Sequence, residues 1–504
     1  MKRIYLSCLF FCFSLSLLAQ LQIVDRIELP YGEKEYDEIF FEPIGKDGIL
    51  QFAMAFHKNE DLLKVRVQHY DTSLSLLEEN HFAVDIENYR YTSREFINGE
   101  LHLTLMDGDE YLRYVVYNPL TKDTITFNYQ APKENEFLIG QFHNNKFYIV
   151  ERVDDRVGSI NISTYDFTTK QWFRRPFKPL NVDIDKLEVE RLYFPESNFG
   201  QTESLFIKVS IKIKRKFYVN HLYQLHEDGI LDEYILSNKE MEQVRNITII
   251  ERENSPNLDI IGTYGEEGLQ YGIFSGEINR RGFEPKSRYG FGEGFDSLVV
   301  DTTGFFGYFN KRAKRKARKK GEEFKRAMST TSHPVIRLKD GGFLWVAEVY
   351  HATYVQVPVY SANGVSYRNQ FDGYQTTAGL VMRFNAEGQK IWDRNFLVYP
   401  LVKPFRVRRF LNIDLQEDHI NFVYQYGRGL SERTYSFEGE LLHESDKMPL
   451  VLSPDEKARY SSRVNTESWY DQYLVTYGYQ KIKNKENRKK SRRIYSINKL
   501  IIEK

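Results

Sequence analysis

Residues 384–396 read FNAEGQKIWDRNF, and residues 435–448 read YSFEGELLHESDKM. In each stretch an aromatic residue closes a strand-like segment, a polar turn containing Gly follows, and a second strand-like segment begins. The same pattern starts at six further aromatic residues: Tyr70, Tyr117, Tyr165, Tyr223, Phe274 and Tyr495. The chain is therefore a series of degenerate β repeats.

The spacing of these repeats indicates the fold. Successive repeats start 47 to 60 residues apart, except for one gap of 110 residues between Phe274 and Phe384. A period near 50 residues, with two visible strands and room for two more, is typical of a four-stranded propeller blade. We therefore predict an all-β fold, a β-propeller of seven or eight four-stranded blades. Tandem β-sandwiches are the alternative, although no linker between such domains is evident.

The composition agrees with a strand-rich chain. Aromatic residues make up 15% of the sequence, chiefly 35 Tyr and 36 Phe, and aromatic side chains favour pleated, half-buried surfaces. Segments such as 101–105 (LHLTL) and 420–424 (INFVY) alternate with a period of two. We expect residues 20–504 to form a single propeller domain in which segments 23–29 and 493–502 complete one shared blade.

The N-terminus predicts export. Residues 2–3 (KR) precede an apolar run over residues 4–18, which is too short to span a bilayer comfortably, and Ala19 supplies a small residue for cleavage. We predict a signal peptide over residues 1–19 and a periplasmic or extracellular location, of which the periplasm is favoured. Cys8 and Cys12 lack a lipobox context and fall within this segment, so the mature chain is expected to have no disulfide.

One segment departs from the strand pattern. Phe305, Phe309, Ala313 and Ala317 are four residues apart, which predicts a helical insertion over residues 305–328, interrupted at Gly321. It holds eight cations in ten residues: Lys311, Arg312, Lys314, Arg315, Lys316, Arg318, Lys319 and Lys320. Two interpretations stay open, because such a helix either binds an anionic polymer or lies over an acidic patch of the same protein.

Two smaller basic clusters lie elsewhere. Residues 481–493 (KIKNKENRKKSRR) are expected to decorate a long hairpin loop, and Lys212 and Lys214 are expected to share one exposed strand face. Anion binding would gain support if these clusters met on one surface.

A candidate ligand site lies after the apolar strand that ends at Glu348. Its carboxylate would hold a sugar hydroxyl, or else cap backbone amides or pair with an Arg. Tyr350 and Tyr354 belong to a series of tyrosines that continues around a hairpin tip at 363–364. These tyrosines either form a platform for a carbohydrate or peptide or simply pack an extended hairpin.

No catalytic motif stands out, and no cofactor or metal is expected. Signatures of sialidases, zinc proteases, serine hydrolases and phosphate-binding loops are missing, and the 70 basic and 70 acidic side chains indicate no partner. His221 and His226 would face opposite sides of a strand. The leading expectation is a non-enzymatic binding or scaffold protein of the cell envelope that recognises a glycan, a peptide or an envelope protein. A propeller-type glycan hydrolase or lyase is the alternative.

Three segments carry a family resemblance: 338–348 (LKDGGFLWVAE), 385–392 (NAEGQKIW) and 260–264 (IIGTY). They resemble an uncharacterised family of secreted, propeller-like bacterial proteins. Val349 stands where that family commonly has Gln, and residues 395–397 (NFL) replace an Ile-Pro-Lys-like phrase. The resemblance implies the fold and the compartment, and it transfers no functional residue.

Overall fold

A computed structural model gives the architecture of this chain. It describes residues 20–30, 36–57, 61–87, 90–107, 111–132, 135–153, 159–177, 187–195, 205–214, 217–226, 231–236, 243–252, 255–266, 269–292, 295, 305–321, 324–361, 364–445, 448–450, 455–484 and 491–503. The predicted signal peptide, residues 1–19, lies outside the described residues.

The first half of the chain forms antiparallel sheets of four consecutive strands. Strand β1 (Gln20–Pro30) precedes a sheet of β2 (Glu38–Pro43), β3 (Ile49–His57), β4 (Leu62–Tyr70) and β5 (Leu76–Asp85). The next two sheets are β6 (Arg90–Ile97), β7 (Glu100–Asp107), β8 (Tyr111–Tyr117) and β9 (Thr124–Gln130), then β10 (Asn135–His143), β11 (Lys146–Val153), β12 (Ser159–Asp166) and β13 (Gln171–Phe177).

The following sheets repeat this order up to the helix. They are β14 (Leu187–Tyr193), β15 (Leu205–Lys214), β16 (Phe217–Leu225) and β17 (Leu231–Ile235), then β18 (Gln243–Glu251), β19 (Leu258–Glu266), β20 (Leu269–Asn279) and β21 (Gly282–Gly290). Helix α1 (Phe305–Lys320) comes next. It is shorter than the predicted 305–328, because it ends before Gly321, whose φ of +67° is left-handed, and residues 324–328 are not helical.

Three sheets complete the architecture. One holds β22 (Ser329–Ser332), β23 (Ile336–Arg337), β24 (Phe343–Ser361), β25 (Gly364–Phe384) and β26 (Lys390–Leu397), and another β27 (Leu411–Leu415), β28 (His419–Tyr426), β29 (Gly429–Ser436), β30 (Leu441–Glu444) and β31 (Met448–Pro449). The last holds β32 (Glu456–Ser468), β33 (Tyr473–Asn484) and β34 (Ser491–Glu503), with β1 as its fourth strand.

Eight sheets with four strands in sequential order are the organisation of a multi-blade β-propeller, so the predicted fold class is confirmed with eight blades. Each repeat seen in the sequence coincides with the third strand of one sheet and the turn that leaves it. The gap of 110 residues holds α1 and the unusually long β24 and β25 rather than an extra sheet. The shared blade is also confirmed, because β1 pairs with β34 from Gln20↔Glu503 to Pro30↔Ile494.

Polar residues after the repeat aromatics explain why the turns form. Asn118 Oδ1 accepts the amides of residues 120 and 121, and Asn385 Oδ1 accepts the amide of Gln389 at 2.8 Å. The preceding aromatic residues, Tyr117 and Phe384, are buried. In these two repeats the aromatic residue therefore anchors the strand in the core, and the short polar side chain beside it closes the turn.

The chain divides into two compact units. One comprises Met1–Glu87, Glu348–Leu380 and Asn395–Lys504, and the other comprises Asn88–Ala347 and Val381–Arg394. Within each unit, neighbouring sheets bury apolar faces against each other. In the first unit, Phe41 and Tyr70 pack on Trp469, Tyr477 and other residues of the last sheet.

Candidate functional site

Strands β24 and β25 are much longer than the strands beside them. They contain 19 and 21 residues, whereas β22 and β26 contain 4 and 8. The Val398 amide donates to the Thr377 carbonyl at 3.1 Å, next to the end of β26. We call residues 350–361 and 364–376, which continue past this point as a two-stranded hairpin, the ribbon.

The ribbon exposes aromatic and aliphatic side chains. Tyr354 is 57% exposed, Tyr360 78% and Tyr367 69%. Val355 and Val365 are also exposed, at 41% and 54%. Since successive residues of a strand point to opposite faces, the exposure of both Tyr354 and Val355 shows that both faces of the ribbon are open to solvent.

Aromatic rings pack against one another at the base of the ribbon. The ring centroids of Tyr350 and Tyr374 are 5.5 Å apart with their planes at 89°. Phe371 contacts Tyr374 at 5.1 Å, Tyr354 at 5.9 Å and Phe405 at 5.9 Å, again edge to face. Burial, together with the neighbouring Tyr374, raises the pKa of Tyr350. This aromatic cluster joins Tyr350 to the exposed Tyr354.

Backbone contacts fix the same region. The Thr353 hydroxyl donates to the Gly373 carbonyl at 2.9 Å, and the Tyr374 amide donates to the Pro404 carbonyl at 2.8 Å. Lys403 forms an ion pair with Asp372 at 2.9 Å. Gly373 has a φ of +105°, and a Cβ there would lie 2.3 Å from the Lys403 carbonyl oxygen. Only glycine therefore fits where the two segments approach each other.

Glu348 lies on β24, two residues before Tyr350 of this cluster, and is fully buried. Its Oε1 accepts the backbone amides of Phe410 and Leu411 at 2.7 and 2.8 Å. Among the interpretations that the sequence allows for Glu348, this contact corresponds to the capping of backbone amides. The carboxylate has no surface open to a ligand, so its contribution to the site is to hold the segment before β27 against β24.

The basic helix presents its charges to solvent. All eight of its predicted anion-binding residues are exposed, namely Lys311, Arg312, Lys314, Arg315, Lys316, Arg318, Lys319 and Lys320. Ala317 is buried, but Ala313 is exposed, so the predicted apolar seam is not continuous. Three cations occupy the last turn, where positive charge stabilises the helix dipole.

The structure gives less information about the two other basic clusters and about His221 and His226. The prediction that the run 481–493 decorates a hairpin loop is wrong for seven of its residues, because 481–484 belong to β33 and 491–493 to β34, while 485–490 lie outside the described range. Lys212 and Lys214 lie on β15, but their side chains are not described. His221 contacts Glu233 at 2.7 Å and His226 contacts Asp232 at 2.8 Å.

Two further observations concern metals and membranes. In the described ranges, no group of three or more His, Cys, Asp or Glu side chains is placed to hold a metal ion. None of the described helices has the length and apolar character needed to cross a bilayer.

Sequence reasoning missed Phe371 and Phe405. Phe371 lies on the returning strand of the hairpin, and its alternation with polar residues was visible. Phe405 is 73% exposed and lies in an irregular segment, where no periodic pattern points to a role.

A scan against protein-family models found no match to this sequence, and neither did a search of curated proteins. Solved structures with a similar arrangement of strands include the polysaccharide lyase Uly1, with 10% identity, a TM-score of 0.35, and coverage of 82% of this chain and 90% of that one. The WD40 domain of SCAP from fission yeast has 8% identity, a TM-score of 0.36, and coverage of 96% and 99%. A prolyl endopeptidase structure has 9% identity, a TM-score of 0.37, and coverage of 89% and 55%. These neighbours are propeller-like, and the likeness concerns the fold alone.

Proposed function

We propose that this protein is an exported bacterial β-propeller of the cell envelope that binds a glycan through the ribbon, without catalysing a reaction. The observation that carries this proposal is the exposure of Tyr354, Tyr360 and Tyr367 on one two-stranded hairpin. Several large exposed aromatic side chains on one hairpin are unusual on a folded protein and are typical of interaction sites.

The chemistry of the ribbon favours a glycan. A sugar ring has an apolar face of C–H groups and an edge of hydroxyls, and tyrosine likewise combines an apolar ring with a polar hydroxyl. Gln356, Arg368, Asn369 and Gln370 are exposed on the same strands and supply hydrogen-bonding groups. This mixture of flat rings and polar groups matches a carbohydrate better than a purely apolar partner.

The base of the ribbon supports binding through its rigidity. Phe371 and Tyr374 pack edge to face, and the Tyr374 backbone amide donates a hydrogen bond to the Pro404 carbonyl. A surface that is already ordered loses less conformational entropy when a ligand binds. Tyr350 and Tyr354 therefore belong to the proposed site, with Glu348 as a buried support.

Binding of the purified protein to a glycan array, followed by calorimetry on the best ligand, tests this proposal. Tyr354→Ser, Tyr360→Ser and Tyr367→Ser are each expected to lower the affinity about five- to thirtyfold, as loss of an aromatic anchor does. Leu120→Ser is the matched control, because Leu120 is 64% exposed in the turn between β8 and β9, away from the ribbon in sequence. Equal affinities for all four variants, or no bound glycan, would contradict the proposal. Release of a shortened product would instead support a glycan hydrolase or lyase.

The basic helix is a second candidate surface, for an anionic polymer. The supporting observation is that all eight cations between Lys311 and Lys320 are exposed. Binding of this kind releases counterions, so the affinity for a phosphate-rich chain falls steeply with salt.

Polyphosphate is a suitable probe for the helix. Replacing Lys311, Lys314, Lys316 and Lys319 with Gln is expected to lower the affinity at least tenfold and to flatten the dependence on salt. The exposed Lys339 provides the control Lys339→Gln. An affinity that is unchanged between about 50 and 200 mM salt, or in the fourfold variant, would exclude this role.

A further inference from the structure

A cleft lies at one end of the sheet β2–β5, apart from the ribbon and the helix. Its volume is about 610 Å³, within the range of pockets that hold small organic ligands. In an antiparallel sheet the start of β2, the end of β3, the start of β4 and the end of β5 meet at the same edge. The cleft is built from these four ends, and all its described lining residues belong to one compact unit.

Small side chains make room for the cleft. Lys64 on β4 pairs with Ala55 on β3 and with Ala83 on β5, so it has an alanine on each side. Arg66, two residues further on, pairs with His81. Because residues two apart on a strand share a face, Lys64 and Arg66 project from the same side of the sheet.

The lining combines positive charge with aromatic rings. Its described charged or titratable members are Lys64, Arg66, His57 and His81, and none of the described lining residues is acidic. His81 lies 3.0 Å from Glu79, which is outside the lining and offsets the charge that a protonated His81 would carry. Lys64 and Arg66 carry permanent charges, and Glu79 outside the lining also interacts electrostatically with Arg66, so the lining itself is positively charged.

Arg66 is held in place for recognition. Its guanidinium carbon lies 4.6 Å from the centroid of the Tyr36 ring. Its Nε is shielded from solvent and has no hydrogen-bond partner among the described residues. A guanidinium stacked on a ring is oriented before the ligand arrives, and its planar fork matches the two oxygens of a carboxylate.

We propose that this cleft binds a small organic carboxylate whose ring or apolar body contacts Tyr36. The carboxylate pairs with Arg66 and Lys64, while the Tyr36 ring and the methyl groups of Ala55 and Ala83, which share the face of Lys64, supply the apolar part of the lining. The site is independent of glycan binding by the ribbon, since the two surfaces share no residue.

Titration with D-glucuronate and D-glucose, observed by ligand-detected NMR, tests the cleft, because the two sugars differ only in the carboxylate. Glucuronate is expected to bind in the millimolar range and glucose at least tenfold more weakly. Arg66→Gln is expected to lower the glucuronate affinity about ten- to a hundredfold, since a charge-assisted pair is lost. Lys339→Gln, which removes an exposed cation elsewhere, should leave that affinity unchanged.

Several results would overturn the proposal. Glucuronate that binds no better than glucose would show that the carboxylate is not recognised. Inorganic sulfate that competes as strongly as glucuronate itself would show that the ring adds nothing. An Arg66→Gln variant with native affinity and an unchanged thermal melting curve would place the binding elsewhere. Loss of affinity in Tyr360→Ser alone would assign glucuronate to the ribbon.

Discussion

Buried ionisable residues are the most informative single positions in this protein. Glu432 on β29 is fully buried, and the backbone of Leu21 on β1 donates toward its carboxyl group, which opposes the effect of burial on the pKa. Burial raises the pKa of Glu432 to about 7, and the nearby Asp414 adds to the effect. The side chain is therefore protonated in the fold over a pH range in which the unfolded chain ionises.

This arrangement predicts a pH dependence of stability. An acid whose folded pKa is raised contributes full stability below its unfolded pKa of 4.5 and loses it as the pH rises to about 7. The loss amounts to about 3 kcal/mol in the free energy of unfolding. Denaturant titrations of Glu432→Gln between pH 4 and 8 should show a flatter profile and higher stability at pH 8. The exposed Glu438→Gln is the control, and identical profiles for Glu432→Gln and the native chain would refute the prediction.

At the scale of the elements, the ribbon depends on one glycine. A Cβ at Gly373 would collide with the Lys403 carbonyl oxygen, whereas a Cβ at Gly364 would meet nothing within 4 Å, although both residues have positive φ. Gly373→Ala is therefore expected to cost at least ~1 kcal/mol more than Gly364→Ala, since backbone strain is common to both but the collision is not. Chemical denaturation measures the difference. Equal costs would mean that the segment at 403–405 moves away freely.

The strands were easier to predict than the surfaces they form. The repeats are legible because a buried aromatic such as Tyr117 and a turn-closing residue such as Asn118 stand side by side. The sequence predicts the hairpin with its tip at 363–364, but not that the hairpin extends past the neighbouring strands, because residues 350–376 alternate like any other strands. Their exposure follows from the short neighbours β22 and β26.

The cleft could not be predicted from the sequence, for a related reason. It exists because Ala55 and Ala83 lie on either side of Lys64, and that neighbourhood depends on the register of three strands. Sequence periodicity shows which face a residue takes but does not show its partner across the sheet. The sequence singles out Glu348 as the end of an apolar strand, but β24 continues from Phe343 to Ser361, and the bonds of Glu348 to the amides of residues 410 and 411 depend on contacts across 62 residues or more.

At the scale of the whole molecule, the blade that β1 shares with β32–β34 is held by Arg26. The Arg26 side chain is 2% exposed and donates to the Leu450 carbonyl, Asn498 and Gln480, each at 2.8 Å. Arg26 therefore links β1 to β33, β34 and the segment that precedes β32.

Removing this link should destabilise the protein as a whole. Arg26→Leu is expected to lower the free energy of unfolding by about 3 kcal/mol, because it leaves several buried acceptors unpaired. Arg492→Leu is the control: Arg492 forms ion pairs with Glu28 and Glu456, but its side chain is 48% exposed, so the cost should stay below about 1 kcal/mol. Thermal and denaturant melts compare the two. Similar costs would show that the buried network adds nothing beyond the surface pairs.

The pairing of β1 with β34 also determines when the shared blade can form during synthesis. Gln20 pairs with Glu503, so β1 cannot form this pairing until a further 483 residues have been synthesised. At about 5 to 20 residues per second, this delay lasts roughly 25 to 100 s. During that interval the backbone groups on β1 have no partner strand, and such an edge invites proteolysis or pairing with other chains. The edge of β1 therefore needs protection until β34 is available to pair with it.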